Sequence, residues 1–482
     1  MLPLLIGLLV AVGPLLRAGW DLWAQSLLWL CVTWGCAAWA LGRLTLGFLP
    51  LPQGRWLAWA GALALLSAVS AWLSPVPTYS GPAWRTLLLG LWIFPATAMA
   101  SKDARSRIDI AVQAAGWILV LLAFHQYWRE ASEPSSTFLN RNVFAGTILL
   151  LLPLSVQRKD WLLASALVLV LIWARSAGAW LGLAGALVLT RRDRSTLFYW
   201  LGLAVGFLAL VAVYAKLQSP EVMHRWQWWS AAARMIWDRP LTGFGPGAFA
   251  YVLPAYEQSG RPLSTMFAHQ HFLETAAECG LPFLGLWAAG LFHFLRRGGA
   301  HKRFGAVAVL VQSLWDYPLS VPANLWLFCY FAASSIPQSP EGVNVRLRMR
   351  LAGGLAVLLI AGTLSYPVWT RWQADRLKAR AVADPDRAKA LALLHDSLAK
   401  AKDAEAETFA AQLHLASKNT ASLREALQHL QRSARLNPYR ASTWSGIERI
   451  FNALGQPERA AQARTEGERY CPILRAPAVN AR

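Results

Sequence analysis

The residues best suited to chemistry are a few arginines and histidines at the ends of long apolar runs. Arg141 lies between two asparagines in PSSTFLNRNVFAG, just before such a run. Arg175 separates two runs in IWARSAGAWLGL. A longer polar stretch, EVMHRWQWWSAAARMIWDRPLTGFGPGAF, adds Arg225, Arg234 and Arg239. It leads to MFAHQHFLETAAECGLPFLG, where His269 and His271 meet a further apolar run carrying Glu274 and Glu278. Ionisable groups at the edge of a bilayer are expensive to place, so those present are candidates for function. Guanidinium groups suit phosphate, and Gly243, Gly245 and Gly247 could turn backbone N–H groups toward an anion, a weak signal alone. The His-x-His pair suggests a metal, but no third ligand stands at a useful spacing, so none is expected. Blander roles are open to each. A lone arginine at a helix end snorkels to headgroups, Arg225, Arg234 and Arg239 could hold lipid phosphates, and Asp316 could simply be a polar helix end.

The elements that must position these residues are membrane spans. Of 482 residues, 56% are hydrophobic and only 15% charged, against about 45–50% and about 25% in soluble domains. That excludes disorder and a lone soluble domain. A spanning helix needs about 17–25 apolar residues, and about thirteen runs approach this. They cover about 2–16, 20–42, 56–74, 84–100, 109–127, 143–157, 161–174, 177–190, 196–215, 272–295, 304–320, 323–336 and 351–367. Alternate connections are basic. Lys102, Arg105 and Arg107 fall on one side with Arg191, Arg192 and Arg194, and with Arg346, Arg348 and Arg350. The opposite connections hold isolated residues such as Arg17, Arg85 and Arg129. The positive-inside rule makes the basic side cytoplasmic, which puts the N-terminus inside. The loop of about 216–271 and everything after 367 are then outside. The net charge of +20 therefore reports orientation, and nucleic acid is not expected as a partner. Within the loop, residues 221–237 read as an interfacial amphipathic helix anchored by Trp226, Trp228 and Trp229.

Residues 368–482 change character, with many alanines and few aromatics. Ala426, Leu430, Ser433, Pro438, Trp444, Phe451, Gly455 and Ala460 follow tetratricopeptide-like spacing, in which small residues let paired helices approach. So short an array is expected to lean on the membrane part or on a protein partner bound through 380–482. The expected architecture is all-α: a polytopic bundle of about 12–13 transmembrane helices over 1–367, followed by a C-terminal helical-repeat domain.

The stretch from Arg225 through DRPLTGFGPGAF to AHQHFLETAAECGLP resembles the signature of the O-antigen ligase and polymerase superfamily. FLNRNVFAG, RSAGAWLG and QSLWDYPLSVPANLWLF resemble three further segments of that superfamily, so the likeness covers roughly 135–335 in order. Two departures are Gln270, where asparagine is usual, and the alanine of RSAG. The resemblance implies a glycosyltransferase of the bacterial inner membrane, taking a glycan from undecaprenyl diphosphate at the periplasmic face. The acceptor would be lipid A-core, another lipid-linked repeat or a protein hydroxyl. Carried over to this chain, Arg175 and Arg225 would hold the diphosphate, with His269 as base or acceptor-positioning group. Arg141, Arg234 and His271 would bind donor or acceptor. Arginines can neutralise a diphosphate leaving group as a divalent cation would, so no metal or cofactor is expected.

Ligase is the leading expectation, with polymerase and protein O-oligosaccharyltransferase as alternatives within the resemblance. A transporter or flippase of a lipid-linked or anionic substrate is the main alternative of another class, although no duplicated halves are visible. A scaffold working through the repeats is a third.

Overall fold

The computed structural model describes residues 1–51, 54–190, 196–215, 220–256, 265–297, 300–334, 341–417 and 419–475. Arg191, Arg192 and Arg194 lie outside the described residues, as do 216–219 and 257–264 of the expected outer loop.

Helices occupy the apolar runs expected to span, except that the run 304–320 is helical only to Gln312 and then turns, and the chain is all-α apart from one two-stranded ribbon among the described residues. Leu22–Leu46, Lys102–Glu130, His271–Arg297 and Leu347–Ala383 contain stretches long and apolar enough to cross a bilayer. Other apolar helices are shorter. Trp161–Trp173 and Ala177–Leu189 have 13 residues each, a rise of about 20 Å against a hydrocarbon core of about 30 Å. The turn between these two short helices is where Arg175 sits. The first run is broken into short helical pieces around Gly13 and Pro14, since proline lacks the N–H that a continuing helix needs.

Pro322–Ser334 runs through the densest part of the core, with Trp326, Phe328, Tyr330 and Phe331 all but inaccessible. Its polar atoms are satisfied, as an apolar medium requires. Trp326 Nε1 donates to the Thr86 carbonyl at 2.9 Å, and Asn324 Nδ2 donates to the Val143 carbonyl at 3.0 Å. The Thr147 hydroxyl donates to Asn324 Oδ1 at 2.6 Å. The sequence reading did not foresee the ribbon, in which Phe48–Leu51 pairs antiparallel with Glu341–Asn344. It joins the end of Leu22–Leu46 to the start of Leu347–Ala383. Trp29 Nε1, donating to the Leu364 carbonyl at 3.2 Å, ties the same two helices further along.

The helix Leu347–Ala383 continues unbroken through the expected domain boundary at 367/368. Five helices follow: Arg387–Lys400, Ala404–Leu415, Thr420–Leu436, Ala441–Ala453 and Pro457–Tyr470. Asp386, Asp403 and Asn419 cap the first three through side-chain oxygens, which satisfies otherwise orphaned N–H groups. Ala426, Leu430, Trp444, Phe451 and Ala460 share one core. Gly455 plays a different part from the one expected. It ends a helix at φ +70° with open space around it, while Gly446 and Gly467 lie close against Leu430 and Trp444.

This C-terminal part leans on the segment 220–256. Tyr439 is buried among Val76, Met235, Phe244, Phe249 and Leu253. Asp403 joins it to the long helix, 3.0 Å from Arg371 and 3.1 Å from Lys378. Burial alone would raise the Asp403 carboxyl, but these two cations hold it below the usual carboxylate range.

Candidate active site

Arg141 and Arg175 come together on a single carboxylate. Asn140 caps Arg141–Gln157, its side chain accepting from the N–H groups of Asn142 and Val143, which fixes Arg141 at the first helical position. Arg175 takes a left-handed backbone, φ 47°, in the turn before Ala177–Leu189. Arg141 pairs with Glu133, and Arg175 Nη1 lies 3.8 Å from the other oxygen of the same carboxylate. The Arg175 side chain is 76% exposed, so little restrains it from turning to another anion.

Arg225 and His269 meet at the segment following the helix Ala300–Gln312. Arg225 Nη1 donates to the Trp315 carbonyl at 3.0 Å. His269 stacks on Trp228, with centroids 4.8 Å apart, and meets Tyr317 edge-on at 4.6 Å. Its Nδ1 is 3.6 Å from Asp316 Oδ1, and that carboxylate is nearly inaccessible. His269 also has a left-handed backbone, φ 55°. Such a conformation costs a non-glycine residue about 1–2 kcal/mol, and held strain of this kind gathers at functional sites.

The segment Gln312 to Asn324 links all these places. Gln312 Nε2 donates to the Asn142 carbonyl at 2.7 Å, beside Arg141. A Cβ on Gly178, three residues after Arg175, would sit 3.6 Å from both Gln312 and Trp315. Ser313 accepts from the His271 N–H at 3.0 Å, and His271 Nδ1 is 3.3 Å from the Ser320 hydroxyl. Asp316, read in the sequence as a possible polar helix end, faces His269. The four candidate regions, far apart in sequence, thus share one frame.

Arg234 and the glycine segment make hydrogen bonds within the chain. Arg234 donates to the Tyr256 carbonyl, and the Tyr256 hydroxyl donates to Asp238 at 2.6 Å. Burial first, and then the Asp238 carboxylate, push the Tyr256 phenol above its ordinary range. In the glycine segment the nearby anion is the chain's own Glu278. Its carboxylate accepts from Gly247 N–H at 2.8 Å and Phe249 N–H at 3.0 Å, and its carbonyl accepts from Gly245 N–H at 2.8 Å. Gly243, at φ +64°, would place a Cβ 2.3 Å from the Glu278 carbonyl oxygen. Gly243→Ala is therefore expected to destabilise the protein by at least about 2 kcal/mol, from backbone strain and overpacking together. Thermal unfolding of the purified protein, which should show a lowered Tm, checks this.

A cavity of about 380 Å³ is lined by Tyr79, Tyr251, His271, Glu274, Arg371 and Lys378 among others, and by Leu87, Trp287 and Cys329 of the apolar helices. His269, Arg225 and Arg175 do not line it. Of the expected site residues, then, Arg225, His269 and His271 gather on one segment, Arg141 and Arg175 on Glu133 nearby, and Arg234 within the loop scaffold. Glu133 and the carbonyls of Ser313 and Trp315 escaped the sequence reading, because a lone surface glutamate and a backbone carbonyl carry no local pattern.

Comparison with curated proteins found no match. Residues 161–288 match the O-antigen ligase family. The matched stretch holds Arg175, Arg225, Arg234, His269 and His271, together with Glu274 and Glu278. The chain is a helical membrane protein whose residues 161–288 carry a glycosyltransferase-type domain of the O-antigen ligase family.

Proposed function

We propose that the protein is a glycosyltransferase of the ligase type. It moves a glycan from undecaprenyl diphosphate to lipid A-core at the periplasmic face of a bacterial inner membrane. About 12–13 spans hold the site, with the N-terminus in the cytoplasm and a tetratricopeptide-like C-terminal domain in the periplasm. The observation that carries this reading is the convergence of Arg225, His269 and the Arg141–Arg175 pair around Gln312 to Asn324, on a chain whose 161–288 match the O-antigen ligase family.

An acceptor hydroxyl oxygen forms a bond to the anomeric carbon of the donor sugar. The bond from that carbon to the phosphate oxygen breaks, and the diphosphate leaves with the electron pair. His269 takes the hydroxyl proton. Asp316 beside Nδ1 favours the tautomer that leaves Nε2 free to accept, and such contacts are commonly loose before substrate binds. Arg225 and Arg175 bind the diphosphate as charge builds on its oxygens, and Glu133 holds Arg175 and Arg141 near this position until the donor arrives. His271 and Arg234 keep the loop in register and border the bound substrates. The mechanism requires no metal.

Mass spectrometry of glycans from cells lacking the protein tests the acceptor. The expected result is lipid A-core without its glycan, alongside undecaprenyl-linked polymer of normal length. Polymer reduced to single repeats would replace the ligase reading with a polymerase. Loss of glycan from a protein alone would replace it with a protein O-oligosaccharyltransferase.

A further inference from the structure

The C-terminal part contains a group of side chains that the transfer reaction does not use. His395 lies on Arg387–Lys400, His414 on Ala404–Leu415 and His429 on Thr420–Leu436, so three successive helices each contribute one imidazole. Each offers a ring nitrogen, and these atoms all lie within 4.8 Å of one another. The rings are nearly parallel. His429 has its centroid 5.8 Å from that of His395 and 5.5 Å from that of His414.

Two observations distinguish this group from ordinary packing. His429 is buried, and its Nδ1 lies 2.5 Å from Glu407 Oε2, itself largely buried. A carboxylate accepting from Nδ1–H fixes the tautomer with a lone pair on Nε2, the orientation that metal-binding histidines commonly have. His414 Nε2 is inaccessible and has no hydrogen-bond partner. A buried polar nitrogen without a partner is costly, and a cation shared with His429 would supply one. His395, at the exposed side of the group, leaves a path for entry.

We propose that His395, His414 and His429 bind a divalent transition-metal ion, zinc by ligand chemistry, with Glu407 orienting His429. Three neutral imidazoles and one open position suit Zn²⁺ or Co²⁺, whereas magnesium and calcium prefer oxygen. Tetrahedral ligation with Zn–N bonds of about 2.0–2.1 Å brings ligand nitrogens to about 3.3 Å apart. The ion would clasp three helices in a domain whose apolar core is small. It acts on the assembly of this domain and takes no part in glycan transfer.

The test is titration of the purified, untagged full-length protein with Co²⁺, followed by competition with Zn²⁺. The expected result is one ion per chain, with the visible absorption of four-coordinate Co²⁺ and displacement by Zn²⁺. His395→Ala, at an exposed position, and His414→Ala should each weaken binding by at least about 10-fold. Glu407→Gln should weaken it by about 10–100-fold, as loss of an orienting carboxylate does. Binding should raise the Tm of the wild type and leave that of His414→Ala unchanged. Absence of stoichiometric binding by the wild type would overturn the proposal. So would binding by His395→Ala and His414→Ala at wild-type affinity, which would place the ion elsewhere on the chain.

Discussion

His269→Ala is expected to lower the rate of glycan transfer by about 10²–10⁴-fold, the usual contribution of a positioned base. The loss should appear mainly in kcat, because the proton moves only as the new bond forms. The ring also packs between Trp228 and Tyr317, so some loss of stability will accompany the substitution. His269→Gln separates the two effects. It retains much of the side-chain volume and a hydrogen-bonding end but cannot carry the proton, and it should transfer as poorly as alanine with a smaller change in Tm. A His269→Gln variant with near-normal kcat would leave His269 only a packing role. Asp316→Asn should produce a smaller decrease through misorientation of the imidazole.

Arg225→Ala carries the second large effect, a loss of about 10²–10³-fold in kcat, as for removal of one preorganised donor to a developing anion. One guanidinium nitrogen is committed to the Trp315 carbonyl. That bond pins the planar group and leaves other N–H donors for phosphate. Arg225→Lys should restore little, since a lysine can replace the charge but cannot hold the carbonyl and grip two phosphate oxygens in one plane. Steady-state rates with a lipid-diphosphate donor, compared among arginine, lysine and alanine, provide the measurement. Full recovery by lysine would reduce Arg225 to a source of positive potential.

The parts of this architecture visible in the sequence are those encoded by local runs. A membrane span is a length of apolar chain, so helices occupy the expected runs, with 304–320 helical only to Gln312, and a helix expected over 221–237 appears as Pro220–Asp238. Arg175 and His269 stood out because a charged or titratable residue beside an apolar run is conspicuous by type. What brings them into one region could not be read, because it is made by parts without a local signature. Arg225 is held by a backbone carbonyl 90 residues away, and His271 by two residues of the same distant segment. The glycine segment shows the limit from the other side. Its spacing suggested an anion, yet the carboxylate that its N–H groups bind lies on the helix His271–Arg297, 31 residues beyond Gly247. The three histidines of the C-terminal part were equally invisible, since no two share a helix.

The central claim is tested most directly by transfer in a purified system. The full-length protein in lipid discs would be supplied with undecaprenyl-diphosphate-linked glycan and lipid A-core, and product glycan and released undecaprenyl diphosphate would be counted together. The predicted result is stoichiometric formation of both by the wild type, and near-complete loss in Arg175→Ala, Arg225→Ala and His269→Ala proteins that unfold normally. Wild-type transfer by all three variants would contradict the assigned site. Movement of the donor across sealed vesicles with no glycosidic bond formed would contradict the enzyme itself, and would make the protein a transporter.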